Sequence, residues 1–114
     1  MGTPTAGSVV LIPFPFSDLS QSKRRPAVVL ADAGRGDWIL CQVTSKPYAD
    51  PCAVEITNDD FEHGSLRLLS YARPAKLFAA HETLIISQAG MLRVQLFKEI
   101  RDEVVAVIQT KAKQ

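Results

Sequence analysis

The most uneven charge in this 114-residue chain is the triplet Lys23-Arg24-Arg25, which directly precedes Pro26. The polar residues just before the triplet include Ser17, Ser20 and Gln21. A guanidinium can bind a phosphate through two parallel hydrogen bonds, and clustered cations bind the backbone of nucleic acids. These residue types therefore predict a phosphate-binding loop, and the alternative is a solvated loop whose charges have no ligand.

Two hydroxyl residues, Thr44 and Ser45, end a later apolar run. If that run forms an antiparallel hairpin with the run that Arg25 opens, the hydroxyls and the guanidinium lie at the same end of the sheet. A guanidinium beside hydroxyls can hold a phosphate and stabilise the extra negative charge of a transferring phosphoryl group. A hydroxyl pair that only caps a turn is the alternative.

Short β-branched runs, bounded by proline, glycine and polar clusters, predict the strands that must position these groups. The predicted strands cover residues 8–13, 26–31, 38–45, 53–57, 66–72 and 83–87, with a loop over 17–25 and a helical turn over 58–62. The second and third runs are almost continuously apolar, which is typical of central strands. From Met91 to about Lys111 the apolar residues recur at helical spacing, which predicts an amphipathic helix. The sequence thus predicts one mainly β (α+β) domain over residues 1–114, a small bent sheet or barrel with a C-terminal helix.

Composition narrows the class of protein. The net charge is only +1, so any preference for an acidic partner must come from local clustering. No window approaches the roughly 18 apolar residues of a membrane span, and residues 1–8 do not resemble a secretory signal. Cys41 and Cys52 have the spacing of neither a zinc site nor a disulfide framework, and the acidic residues near position 60 fit no calcium loop. We therefore expect a cytoplasmic protein without metal, cofactor or membrane attachment.

Three segments of the chain resemble landmarks of the MazF/PemK toxin family. They are residues 7–16, then Arg24-Arg25-Pro26-Ala27-Val28-Val29-Leu30, then Cys41-Gln42-Val43-Thr44-Ser45. Residues 70–78 and Gly90 fit a PemK-like branch of the family. The resemblance covers nearly the whole chain, and it implies a small SH3-like β-barrel of the CcdB/Kid/MazF type with a C-terminal helix.

The resemblance also implies an activity. Family members are homodimeric, metal-independent endoribonucleases that cut single-stranded mRNA at short sequences, and an acidic antitoxin silences them and carries them to DNA. In the family the arginine before the proline and the hydroxyl that ends the third strand lie in the active site, which implies catalytic roles for Arg25, Thr44 and Ser45. The implied RNA-binding residues are Ser17, Ser20, Gln21, Lys23 and Arg24, with Arg67 and Arg73 as further candidates.

One departure from the family keeps other functions open. Some members carry a carboxylate on the strand that corresponds to residues 66–72, whereas this chain reads Leu68-Leu69-Ser70, so the general base is unassigned. A non-catalytic module of the same fold that binds nucleic acid or antitoxin is one alternative. A gyrase poison similar to the CcdB toxins is another, although that class ends its helix in Trp-Gly-Ile and this chain ends Lys111-Ala112-Lys113-Gln114.

Overall fold

The structure, a computed structural model, describes residues 3–15, 22–47 and 49–110. Its strands are β1 (Ser8–Pro15), β2 (Ser22–Gly34), β3 (Asp37–Thr44), β4 (Val54–Ile56), β5 (Phe61–Gly64), β6 (Ser70–His81) and β7 (Ser87–Leu92). The helices are two short 3-10 helices, Asn58–Asp60 and Glu82–Leu84, and the α-helix α1 (Val94–Gln109). Among the described residues, none of the helices has the length and apolar character needed to cross a membrane.

All seven strands join one antiparallel sheet in the order β4-β6-β3-β2-β1-β7-β5. The prediction that the second and third strands are central is confirmed, because β2 and β3 pair with each other in the middle of the sheet. Register shifts interrupt the β1–β7, β2–β3, β3–β6 and β5–β7 pairs. Such bulges increase the local twist and bend the sheet. The result is a curled half-barrel, which confirms the predicted fold class.

Apolar side chains fill both faces of this sheet. One cluster includes Val28 and Val43 and packs against α1 through Leu96 and Ile100, while the second cluster, around Val29 and Leu40, fills the opposite face. The buried residues of α1 lie four positions apart, as the sequence predicts for an amphipathic helix. The predicted end of that helix near Lys111 and the tail over residues 112–114 lie outside the described residues.

Cys41 is a fully buried member of the first cluster, as the sequence predicts. Its Sγ donates a hydrogen bond of 3.2 Å to the Arg73 carbonyl. Burial raises the pKa of the Cys41 thiol to about 12. The thiol is therefore protonated near neutral pH and contributes to packing rather than to chemistry.

The cationic triplet lies in a strand, so the predicted loop over residues 17–25 is wrong for its last four residues. β2 begins at Ser22, because β1 continues to Pro15 and pairs with it. The prediction ended β1 at Pro13, yet a proline favours extended geometry in the residue before it, which is compatible with a strand. Arg25 therefore lies inside β2, where its backbone is held from one side by Ile12.

The second half of the sheet departs furthest from the prediction. Residues 66–69 form a connection rather than a strand, and β6 runs through Pro74 to His81 instead of ending before it. In the β3–β6 pair, Val43 lies opposite Ala72 but Cys41 lies opposite Leu77, so the register shifts around Pro74. Pro74 therefore lies in an irregular part of the ladder, where no backbone N–H is required. The predicted strand over 83–87 is also wrong, because a 3-10 helix occupies its start and β7 begins only at Ser87.

Candidate functional site

The ends of β2 and β3 place the guanidinium and the hydroxyls together. Ala27 pairs with Gln42 at the end of the antiparallel β2–β3 ladder, and Arg25 and Thr44 each lie two residues beyond that pair. Both residues therefore lie at the same end of this hairpin, where they line one cleft. The juxtaposition that the sequence predicts is therefore present in the structure.

These residues line a cleft of about 440 Å³ at this end of the sheet. Its apolar lining residues are Leu11, Pro26, Val43, Leu66 and Leu68. Its polar lining residues are Arg24, Arg25, Thr44, Ser45, Lys46, Arg67 and Ser70. The described lining thus combines four cations and three hydroxyls with no carboxylate or imidazole. Such a cleft attracts anions and offers hydrogen-bond donors to them.

Thr44 and Ser45 differ in what their hydroxyls can do. Thr44 is buried, and its Oγ1 accepts a hydrogen bond of 3.0 Å from the Lys46 backbone N–H and donates one of 3.2 Å to the Lys46 carbonyl. It therefore caps the turn after β3 as well as lining the cleft. The Ser45 side chain is exposed, and among the described residues its hydroxyl has no hydrogen-bond partner. Ser45 consequently presents the more accessible donor.

The connection between β5 and β6 brings a third arginine to the cleft. Its end is held by the Ser70 hydroxyl, which donates a hydrogen bond of 2.9 Å to the Leu68 carbonyl. Arg67 and Arg24 are both exposed, and neither forms an ion pair with any residue that the structure describes. Their charges are therefore available to an anionic ligand in the cleft.

Arg73, the other arginine predicted to bind RNA, lies elsewhere. Its Nε donates a hydrogen bond of 2.9 Å to Asp50 Oδ2, and Asp50 also accepts one from the Cys52 backbone N–H at 2.9 Å. Arg73 is not among the residues that line the cleft. The pair instead joins β6 to the connection between β3 and β4, so this structure offers no support for an RNA contact by Arg73.

Several predicted residues cannot be compared with the cleft, and two lining residues escaped prediction. Ser17, Ser20 and Gln21 lie outside the described residues, and for Lys23 only its backbone position in β2 is described. Lys46 and Ser70 line the cleft, although sequence reasoning did not select them. Lys46 could have been found, because it directly follows the hydroxyl pair.

We expect the Asp50–Arg73 pair to stabilise the fold in a pH-dependent way. Hydrogen bonds from Arg73 and from the Cys52 backbone hold the pKa of Asp50 below its ordinary value of 3.8. A carboxylate whose pKa is lowered by folding stabilises the protein above its unfolded pKa, and the contribution is lost as the pH falls through the folded pKa. Asp50→Asn should therefore lower the free energy of unfolding at pH 7 by roughly 1.5–3 kcal/mol.

Urea unfolding of wild type and Asp50→Asn at pH 7 and at pH 3 or below measures this contribution. The difference between the two proteins should shrink as the pH falls. Asp102→Asn is the matched control, because Asp102 pairs with Lys98 at 2.8 Å on the exposed surface of α1, where solvent screens the interaction. Equal losses in the two variants, or a difference that grows in acid, would contradict the role of the Asp50 pair.

The curled sheet, its terminal helix and the cleft define a small half-barrel protein with a cationic cleft at one end of its central strands. The family model for PemK-like, MazF-like toxins of type II toxin–antitoxin systems matches residues 5–108. The chain belongs to this family, which confirms the resemblance seen in the sequence.

Solved structures with the same fold agree with this assignment. One is a MazE–MazF complex from Deinococcus radiodurans (TM-score 0.76, 20% identity, 97% of this chain and 100% of that one). Another is an endoribonuclease in complex with its cognate antitoxin from a mycobacterial species (TM-score 0.71, 14% identity, 99% and 100%). A third is the Mycobacterium tuberculosis toxin MazF-mt6 (TM-score 0.66, 11% identity, 90% and 98%). At these identities the likeness concerns the fold. No curated protein sequence matches the chain.

Proposed function

We propose that this protein is the toxin of a type II toxin–antitoxin pair and a metal-independent endoribonuclease that cleaves single-stranded mRNA at short sequences in the cytoplasm. The observation that supports the proposal is the cleft in which Arg25 meets the hydroxyls of Thr44 and Ser45. The additional cations Arg24 and Arg67 suit it to a polyanion. A structural neighbour described as an endoribonuclease adds support from the same fold.

The cleft suits a cleavage reaction in which the RNA supplies its own nucleophile, the ribose 2′-hydroxyl. The ribose 2′-oxygen attacks the adjacent phosphorus, a new bond forms between them, and the bond from phosphorus to the 5′-oxygen breaks. The 2′-hydroxyl loses its proton and the leaving 5′-oxygen takes one up, so the products are a 2′,3′-cyclic phosphate and a 5′-hydroxyl and no water is consumed. Arg25 would stabilise the extra negative charge of the phosphorane, and Thr44 and Ser45 would orient the phosphate or the 2′-hydroxyl. In this proposal the described lining acts through charge and hydrogen bonds rather than through a carboxylate base.

The proposal includes protein partners. Structural neighbours have been solved in complex with antitoxins. An acidic, partly disordered antitoxin segment would compete with RNA for the same cleft, because its carboxylates can occupy the positions of the phosphates. We further propose a homodimer as the active form and DNA binding only through the antitoxin complex.

Incubating the purified protein with single-stranded RNA in excess EDTA tests the activity. We expect fragments that carry 5′-hydroxyl and cyclic phosphate ends, together with protection of the same strand in a duplex. RNA that stays intact but binds with strong salt dependence would replace this proposal with the non-catalytic module. Cleavage that needs added Mg²⁺ would contradict the mechanism.

A further inference from the structure

A second cavity, of about 210 Å³, adjoins the cleft. The two cavities share Leu66, Arg67 and Leu68 as lining residues, so the connection before β6 forms their common wall. The rest of the second cavity is lined by Thr57, Asn58 and Leu69. A ligand that binds the cationic cleft and extends past Arg67 would therefore enter this cavity next.

The second cavity has apolar walls and one available amide. Leu68 and Leu69 are 65% and 48% exposed, so apolar surface lies directly beside the cationic cleft. Apolar side chains can cover the face of a planar base, and the guanidinium of Arg67 can stack on a base while reaching a neighbouring phosphate. At about 210 Å³ the cavity is smaller than the roughly 300–1,000 Å³ of sites for drug-sized ligands. It suits a nucleobase rather than a whole nucleotide.

Asn58 is the residue that can read such a base. The Thr57 hydroxyl is occupied, since it donates a hydrogen bond of 3.0 Å to Asp60 Oδ2, which also accepts one of 2.8 Å from the Thr57 backbone N–H. These two hydrogen bonds hold the start of the 3-10 helix in which Asn58 is the first residue. The Asn58 side chain is exposed, and its amide has no hydrogen-bond partner among the residues that the structure describes. An amide with a free donor and a free acceptor, carried on an ordered backbone, can read the edge of a base.

We propose that the second cavity is a subsite for the base of a nucleotide next to the cleaved phosphate, and that Asn58 selects adenine there. The proposal rests on the proposed RNA-cleaving function. Adenine follows from chemistry, because a side-chain amide pairs with the N6 donor and N7 acceptor of adenine through two hydrogen bonds. Arg67, which lines both cavities, would hold the phosphate that joins the two nucleotides.

Sequencing the 5′ ends of fragments cut by wild type, Asn58→Ala and Asn58→Asp tests the selection. Wild type should prefer adenine at one fixed position beside the cut. Asn58→Ala should reduce that preference roughly 5- to 150-fold, the discrimination of one bidentate pair. Asn58→Asp should shift it toward cytosine, because a carboxylate accepts from the cytosine N4 amine. Gln95→Ala is the matched control, since Gln95 is an exposed amide residue of α1 outside both cavities. An unchanged sequence preference in both Asn58 variants would overturn the subsite and leave the nuclease proposal standing.

A titration of backbone amide resonances separates the subsite from catalysis. Adenosine 5′-monophosphate should shift the amides of Asn58 and Leu69, which line only the second cavity, whereas ribose 5-phosphate, which lacks the base, should shift only amides around the cationic cleft, including those of residues 66–68. If RNA is never cleaved but this difference is observed, the nuclease proposal fails and the base subsite stands. Identical shifts with the two ligands would overturn the subsite. Loss of the adenosine-specific shifts as protein concentration rises would show that a second copy covers the leucines, and this too would overturn it.

Discussion

Replacing Arg25 with alanine is expected to lower the rate of single-turnover RNA cleavage by about 10²–10³-fold, the usual cost of one donor that stabilises a developing charge. Arg25 lies within β2, is paired with Ile12 of β1, and lines the same cleft as Thr44 of β3. Its backbone is therefore fixed before substrate arrives, so only its side chain would have to order when the guanidinium binds the phosphorane. The measurement is the first-order rate constant with enzyme in excess over a labelled oligonucleotide.

Two further variants show whether charge or geometry is lost. Arg25→Lys keeps the charge but cannot donate two parallel hydrogen bonds, so its rate should fall between those of wild type and Arg25→Ala. Arg101→Ala is the matched control for removal of one arginine, because Arg101 stacks over Phe97 on α1, at 5.5 Å from the ring centroid, and does not line the cleft. It should cleave at the wild-type rate. An Arg25→Ala protein with wild-type activity and an intact circular dichroism spectrum would exclude Arg25 from catalysis.

The centre of the sheet could be predicted because its sequence signals are local and agree with one another. The runs that contain Val28 and Cys41 are short, apolar and separated by a turn at Arg35, whose φ is +58° beside two glycines with positive φ. A hairpin is the simplest structure for such a pattern, and hairpin geometry alone then brings Arg25 near Thr44. This part of the candidate site therefore follows from strand pairing without any knowledge of the remaining chain.

The β5–β6 region could not be predicted, because its structure depends on partners distant in sequence. Residues 66–69 are apolar enough for a strand, yet β6 begins only at Ser70. The Ser70 hydroxyl donates a hydrogen bond to the Leu68 carbonyl, which stabilises the connection before the strand. β6 then pairs with both β3 and β4, so its length reflects two neighbours rather than its own residues. Propensity is a weak guide where tertiary pairing decides.

Arg67 and Arg73 show that the candidate site, like the fold, depends partly on partners that are distant in sequence. The two arginines lie on either side of the stretch Leu68-Leu69-Ser70, and no feature of the local sequence ranks one above the other as a phosphate ligand. In the structure Arg73 pairs with Asp50, a residue 23 positions away in sequence, while Arg67 faces the cleft. This salt bridge forms because the β3–β4 connection packs against β6. Such a long-range contact cannot be predicted from a single sequence.

This difference leads to the second large prediction, on RNA affinity. A cation that contacts a phosphate of a single strand contributes about 0.7 to the slope of log affinity against log salt concentration. The double variant Arg24→Ala/Arg67→Ala should therefore flatten the slope by roughly 1.4, which corresponds to a roughly 25-fold weaker affinity at 0.1 M salt. Fluorescence anisotropy with a labelled oligonucleotide, at salt concentrations from about 0.05 to 0.3 M, measures both quantities.

Arg73→Ala is the decisive comparison for that experiment, because it removes the same charge from the same region of the chain. Arg73 pairs with Asp50 and does not line the cleft, so its removal should not change the number of counterions that RNA releases on binding. The salt slope should therefore stay unchanged, although the stability should fall. Arg67→Ala alone should flatten the slope by about half the effect of the double variant. If Arg73→Ala flattened the slope as much as Arg67→Ala, RNA would run along β6 rather than through the cleft. RNA would then not bind in the cleft, and this result would contradict the mechanism in which Arg25 and Thr44 contact the cleaved phosphate.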